Sequence, residues 1–298
     1  MRKAYYQLHG AVLLAGFTGV LGRLITLNEL MIVFYRLLLT AVTMFLLFNW
    51  RKVIQPISGA LKARILLAAV VAASHWITFY GAIKYANVSI ALVCFALISF
   101  FTALLEPILL RKQLNGLELC LGLLTLSGVY IIFHFDTQYT VGIALGVISA
   151  LLAALFPILN REILRSTNVE TLLVWQQSLG FLFVASLLPF YFQFMGPMRL
   201  LPTGPDWLGL IMLSWFCSVW AFQLSGAALK KLSAFTVNLA FNLEPIYGIL
   251  LAFAIYREDQ LLTSSFYIGF ALIVVALVLH LFIMKRGANK QESATIAH

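Results

Sequence analysis

The chain has 298 residues, of which 62% are hydrophobic and only 10% charged, so it is not an ordinary soluble domain. A formal net charge of +9 would suit a nucleic-acid partner, but the charges sit between long apolar runs, which points to a membrane instead. Three cysteines, all inside apolar segments and without metal-ligand spacing, give neither a disulfide framework nor a metal site, and no cofactor is expected.

A bilayer core of roughly 30 Å takes about 20 apolar residues per helix. Ten such segments follow one another, near 8–27, 31–50, 64–84, 88–110, 115–134, 140–160, 171–194, 206–228, 233–256 and 262–284. The expected fold is therefore an all-α membrane protein with ten transmembrane helices. The opening MRKAYYQLHGAVLLAGFTGV starts like a signal peptide but runs apolar to Leu27, and is expected to be retained as the first helix. With the N-terminus inside, fifteen of the 20 Lys and Arg residues are cytoplasmic, and only Arg23, Arg36, Lys84, Arg199 and Arg257 fall toward the outside. The positive-inside rule then sets both termini in the cytoplasm, with the loop from Met195 to Asp206 outside.

The first helix carries Arg23 at its outer end and the third carries Lys84 likewise; both read as interfacial. In the second helix Arg36, within FYRLLL, is a costly intramembrane charge. It is an anion contact, an ion-pair partner for Glu244, or a side chain snorkelling to the outer headgroups. The third helix offers His75, which titrates near neutral pH in water, with Trp76 and Tyr80 as an aromatic wall. Glu106, near the cytoplasmic end of the fourth, is five residues from Arg111, outside good helical pairing distance. In the sixth helix Pro157 marks a kink near Asn160, and the seventh and eighth bring Trp175, Gln176, Gln177, Trp220 and Gln223. Amides buried in lipid need partners, so these are expected to face inward.

The ninth segment holds the strongest functional signal, Glu244-Pro245 deep in an apolar run. A charge at mid-membrane costs at least about 2.5–3.5 kcal/mol on insertion scales and normally faces a protein interior or a water-filled path. Pro245 removes one backbone donor and crowds the carbonyl of Phe241, which predicts a kinked or loosened helix beside the acid. Asn238 and Asn242 share a face with Pro245, about a quarter-turn from Glu244. The competing reading of Glu244 is a structural hydrogen bond between helices.

Two halves can be laid over one another. Ser74-His75-Trp76 is echoed by Ser218-Val219-Trp220, and Gln113-Leu114 with Gly122 by Gln260-Leu261 with Gly269. The offset stays near 145 residues, which predicts duplication of a five-helix unit, residues 1–135 and 136–286, followed by a disordered cytoplasmic tail at 287–298. Because five is odd, the copies are inverted, with a central site at their interface.

These halves, GAIKYANVSIALVCFALISFFTALLEPILLRKQLNGLELCLGLLTLSGVYIIF and GAALKKLSAFTVNLAFNLEPIYGILLAFAIYREDQLLTSSFYIGFALIVVALVL, resemble the EamA-type members of the drug/metabolite transporter superfamily over nearly the whole chain. The second copy keeps the family pattern in Pro245, Arg257-Glu258 and Gly269. The first has Arg111-Lys112 in place of the acid, and Ile98 opposite Pro245. The resemblance implies ten helices, a bacterial-type inner membrane, and movement of small metabolites, often outward. It also implies a cavity lined by the first to fourth and sixth to ninth helices, with the fifth and tenth at the periphery. The expected partners are a small-molecule substrate and the lipid bilayer, with protons as a candidate coupling ion and no nucleic acid. An integral-membrane enzyme of transferase type and a channel are the rival classes. The first would need clustered acids, histidines or nucleophiles, and the only aspartates, Asp136, Asp206 and Asp259, lie at loop or boundary positions; the second would need rings of carbonyls or charges.

Overall fold

The computed structural model describes residues 2–111, 113–135, 137–195, 199–229, 240–241 and 243–296. Asn238 and Asn242 lie outside the described residues. Every extended element is helical: α1 (Arg2–Leu24), α2 (Glu29–Trp50), α3 (Gly59–Tyr85), α4 (Val88–Phe95), α5 (Ile98–Leu110), α6 (Gly116–Phe135), α7 (Thr140–Ile163), α8 (Val169–Met195), α9 (Gly204–Ser214), a π-helical segment Trp215–Trp220, α10 (Ala221–Leu229), α11 (Glu244–Tyr256) and α12 (Ser264–Ile296). Among the described residues seven spans are long and apolar enough to cross a membrane, and the stretches Glu244–Tyr256 and Ser264–Leu279 are shorter apolar helices.

Small polar residues fix where these helices start. Asn28, Ser58 and Asn87 cap α2, α3 and α4 by accepting the N–H groups of Met31, Leu61 and Ile90 at 2.8, 3.2 and 2.8 Å. At α9, Thr203 and Asp206 form a reciprocal capping box. The ends of α5 and α11 match: both helices are 13 residues long, and each stops at an arginine in the left-handed region, Arg111 (φ 51°) and Arg257 (φ 52°).

The expected disturbance at Pro245 takes the form of a helix start. Leu243 is the N-cap of α11 and Pro245 falls in its first turn, where a missing N–H costs nothing. Its counterpart α5 also begins anew, at Ile98, after a gap of two residues from the end of α4. α7 runs through Pro157 as one helix. The tail differs from expectation, because α12 continues to Ile296. That stretch sets the good helix formers Ala288, Lys290, Gln291, Glu292 and Ala294 beside the weaker Gly287 and Asn289.

Without water to squeeze out, helices in lipid associate through close packing at small residues. α3 packs along α7, where a Cβ on Gly142 would stand 3.1 Å from the Ala82 carbonyl oxygen. α6 packs along α12 at the Gly128–Gly269 crossing, where a Cβ on Gly128 would stand 2.5 Å from the Gly269 carbonyl oxygen.

Candidate substrate cavity

A cavity of about 620 Å³ opens among the helices. It is bordered by Thr18 of α1, Arg36 of α2, His75 and Trp76 of α3, Cys217 of the π segment and Glu244 of α11. From there its lining runs past Phe156 and Pro157 of α7 and Phe222 of α10 to Glu106 of α5 and Glu118 of α6. A smaller cavity of about 190 Å³ shares Thr102, Glu106 and Glu118 and reaches Gln113 and Asn115 in the α5–α6 turn.

Arg36 is the best-defined group. It is 4% exposed, so the snorkelling alternative is overturned: the side chain turns into the protein. Its Nε donates to Ser218 Oγ at 3.1 Å and its Nη1 to Tyr80 Oη at 2.9 Å, while the guanidinium lies 4.5 Å from the centre of the Trp76 ring. Trp76 and Tyr80 are one turn apart on α3 and therefore share the face that holds the arginine. The π segment turns Ser218 toward it, and Ser218 Oγ also donates to the Leu213 carbonyl at 3.2 Å. No carboxylate stands within 4 Å of Arg36 among the described residues, and the ion pair with Glu244 does not form. A buried guanidinium held by two neutral hydroxyls and a ring is incompletely compensated, because desolvating a cation costs several kcal/mol. The remaining N–H donors can take an acidic ligand.

Glu244 borders the same cavity, half-buried, in the first turn of α11, where the helix dipole favours a carboxylate. His75 also lines it. Its Nδ1 is within hydrogen-bonding distance of Ser149 Oγ (2.9 Å) and the Ser149 carbonyl (3.1 Å), and its ring stacks on Phe95 with centroids 5.4 Å apart. That bonding ties α3 to α7 and orients the ring.

Several sequence expectations place residues elsewhere. Tyr80 is fully buried behind Arg36 and positions it without lining the cavity. Trp175 packs beside Lys62, whose Nζ is 4.9 Å from the ring centre, away from the cavity. Gln176 is buried and donates from Nε2 to Asn160 Oδ1 at 3.0 Å, a bond between α8 and α7. Gln177 is buried and Gln223 half-buried, and neither borders the cavity. Trp220 is 54% exposed, so the symmetric pair with Trp76 fails: the π segment widens the turn before Trp220 and rotates it outward. The expected lining is corrected as well. α8 contributes no lining residue, whereas α6 and α12, expected at the periphery, supply Leu121, Gly122, Thr125, Phe270 and Ile273. α6 and α12 pack on each other, and α6 also packs on α5.

Sequence reasoning missed Ser218, Ser149, Cys217 and Phe95. The alignment of Ser218 with Ser74 was the available sign for the first. Arg161 of α7 provides Glu106 with a partner, its Nη1 donating to Oε1 at 3.1 Å, which leaves Arg111 out of that pair.

A bundle of helices long and apolar enough to cross a membrane, packed around a cavity with charged groups on its wall, defines an integral membrane protein. The EamA-like transporter family model matches residues 2–134 and again 140–282, and the chain belongs to this family, part of the drug/metabolite transporter superfamily. It is 29% identical over 158 residues to a protein of Haemophilus influenzae described as an uncharacterized transporter, covering 50% of this chain and 51% of the relative. It is 26% identical over 234 residues to an uncharacterized transporter of Synechocystis, covering 72% of this chain and 64% of the relative. The chain thus spans between about half and two-thirds of the length of these relatives. A solved crystal structure superposes with a TM-score of 0.63 at 14% identity, covering 92% of this chain and 95% of that one, which shows a shared fold.

Proposed function

We propose that this protein is a secondary transporter that carries small metabolites bearing an acidic group, amino acids and related amphipathic molecules among them, across the inner membrane by alternating access. The observation that carries this reading is Arg36, buried at the cavity wall without a carboxylate partner among the described residues. A ligand carboxylate would supply the missing charge, and such charge-assisted hydrogen bonds are the strong ones. Glu244, across the same cavity, suits a substrate ammonium or a coupling proton. The apolar remainder, with Trp76, Phe79, Phe95 and Phe156 among its lining residues, suits the rest of an amphipathic molecule.

Ten helices in two inverted five-helix repeats, 1–135 and 136–286, with both termini cytoplasmic, is the architecture we infer. The twofold family match, the equal lengths of α5 and α11, and their matching arginine ends support it. In that orientation the cavity lining reaches the cytoplasmic ends of the helices, and the direction we infer is export. Purified protein in sealed liposomes should give saturable uptake and counterflow of carboxylated metabolites. Non-saturable flux would mean a channel, and turnover without flux an enzyme.

A further inference from the structure

The end of the molecule away from the cavity lining is closed by a buried carboxylate. Arg257 ends α11 in the left-handed conformation, and the next residue, Glu258, is 0% exposed. One carboxylate oxygen accepts the N–H of Val88 at 3.1 Å; the other accepts the N–H and hydroxyl of Ser89 at 2.8 and 2.5 Å. These groups open α4, where a negative charge meets the positive end of the helix dipole. The first of those oxygens also pairs with Arg23 near the end of α1, and the Arg23 guanidinium lies 4.5 Å from the centre of the Tyr256 ring. Residues 169 to 235 positions apart in sequence thus meet at one carboxylate.

The corresponding turn at the other end carries the opposite charge. Arg111 ends α5 as Arg257 ends α11, but the residue after Arg111 is Lys112. An ammonium cannot accept backbone N–H groups and is repelled by a helix N-terminus. We propose that Glu258 is a one-sided latch, joined to Arg23 and to the N-terminus of α4. It holds the outer end shut while the cytoplasmic end is open, and it must part before substrate leaves. The latch rests on the alternating-access reading above, and it predicts a resting protein biased toward the cytoplasm-open state.

Cys217 lines the cavity and serves as the reporter, in full-length protein carrying Cys120→Ser, with the Cys217→Ser chain as the blank. A membrane-impermeant methanethiosulfonate reagent is applied either to intact cells or to inside-out vesicles, and the rate of Cys217 modification is followed. The parent should react from the cytoplasmic side, and Glu258→Gln and Arg23→Gln should each raise the rate from outside at least tenfold. Ser89→Ala, which removes one hydroxyl, should change it in the same direction by less, and decides the matter if Glu258→Gln fails to fold. Unchanged outside rates in the folded variants, with or without a lowered melting temperature, would make the cluster a structural staple and overturn the latch. Rapid outside modification of the parent would overturn it too. The readout needs no substrate, so absence of saturable flux in liposomes would count against the transport reading alone.

Discussion

Replacing Arg36 by glutamine separates a ligand-binding role from a structural one, because the two roles predict opposite patterns. Within the protein the substitution removes two hydrogen bonds from a charged group, to Tyr80 and Ser218, each contributing about 1.5–3 kcal/mol. It also removes a buried cation that has no carboxylate partner within 4 Å among the described residues, and relief of that desolvation offsets the loss. The net stability change is expected to stay within about 2 kcal/mol, with near-normal expression and melting temperature. A hydrogen bond to a charged group contributes about 1.5–3 kcal/mol, so affinity for a carboxylated substrate should fall about tenfold to a hundredfold. Arg36→Lys keeps the charge but loses the planar fork, and should fall between. The assay is ligand-induced thermal stabilisation of purified protein across a panel of α-amino acids and their carboxamides. A preference for acids over amides in the parent, lost in Arg36→Gln, is the expected result. Equal affinity of the parent for acids and amides, or unchanged affinity in the variant, would refute the assignment.

Glu244→Gln keeps size and hydrogen bonding while removing charge. Loss of accumulation driven by a pH gradient with counterflow retained identifies proton coupling, a fall in affinity identifies ammonium binding, and normal values for both return Glu244 to a structural role. Gly128→Leu should force α6 and α12 apart at an approach where a Cβ would already stand 2.5 Å from the Gly269 carbonyl, costing about 1–3 kcal/mol and lowering the melting temperature. Gly59→Ala, with nothing within 4 Å of its added Cβ, should lose no stability and is the control. A cysteine at position 199 should label from outside intact cells only; labelling only from inside would reverse the orientation and with it the assignment of the latch to the outer face.

Much of the scaffold is legible because the bilayer makes single residues expensive. A run of apolar residues has to be a buried or lipid-facing helix, and Arg36 and Glu244 announce themselves as charges with no business in lipid. The face shared by Trp76 and Tyr80 follows from their four-residue spacing. Helix rotation is less accessible. Trp76 and Trp220 occupy matching positions in the sequence, yet one lies under Arg36 and the other is exposed, because a π-helical turn intervenes and its extra residue per turn leaves no mark in composition. Trp175, Gln176 and Gln177 were legible as needing partners, but an amide satisfied by a neighbouring helix looks the same in sequence as one facing a ligand. Glu258 was hidden for another reason. An acid in a short turn beside arginine reads as solvated, and its burial depends on Arg23, Val88 and Ser89, which no local pattern connects to it.

The difference between Glu258 and Lys112 bears on how a duplicated transporter acquires a resting direction. In the proposed inverted architecture, two identical halves would make the outward-open and inward-open states equal in energy by symmetry, so any bias arises where the halves have diverged. The cavity wall is a poor place for that divergence, since in the proposed cycle Arg36 and Glu244 would serve the ligand in both states. The turns after α5 and α11 are better suited, because in that architecture each would close one end only. Their backbones match in helix length and in the left-handed arginine, and their next side chains are opposite in charge. A latch worth about 1.4 kcal/mol more at one end shifts a two-state population tenfold, which is within reach of a single charge-assisted hydrogen bond. Orientation preference can therefore reside in one residue per repeat, outside the substrate's contact surface, and relatives with an acid at both turns should rest with less bias than this chain.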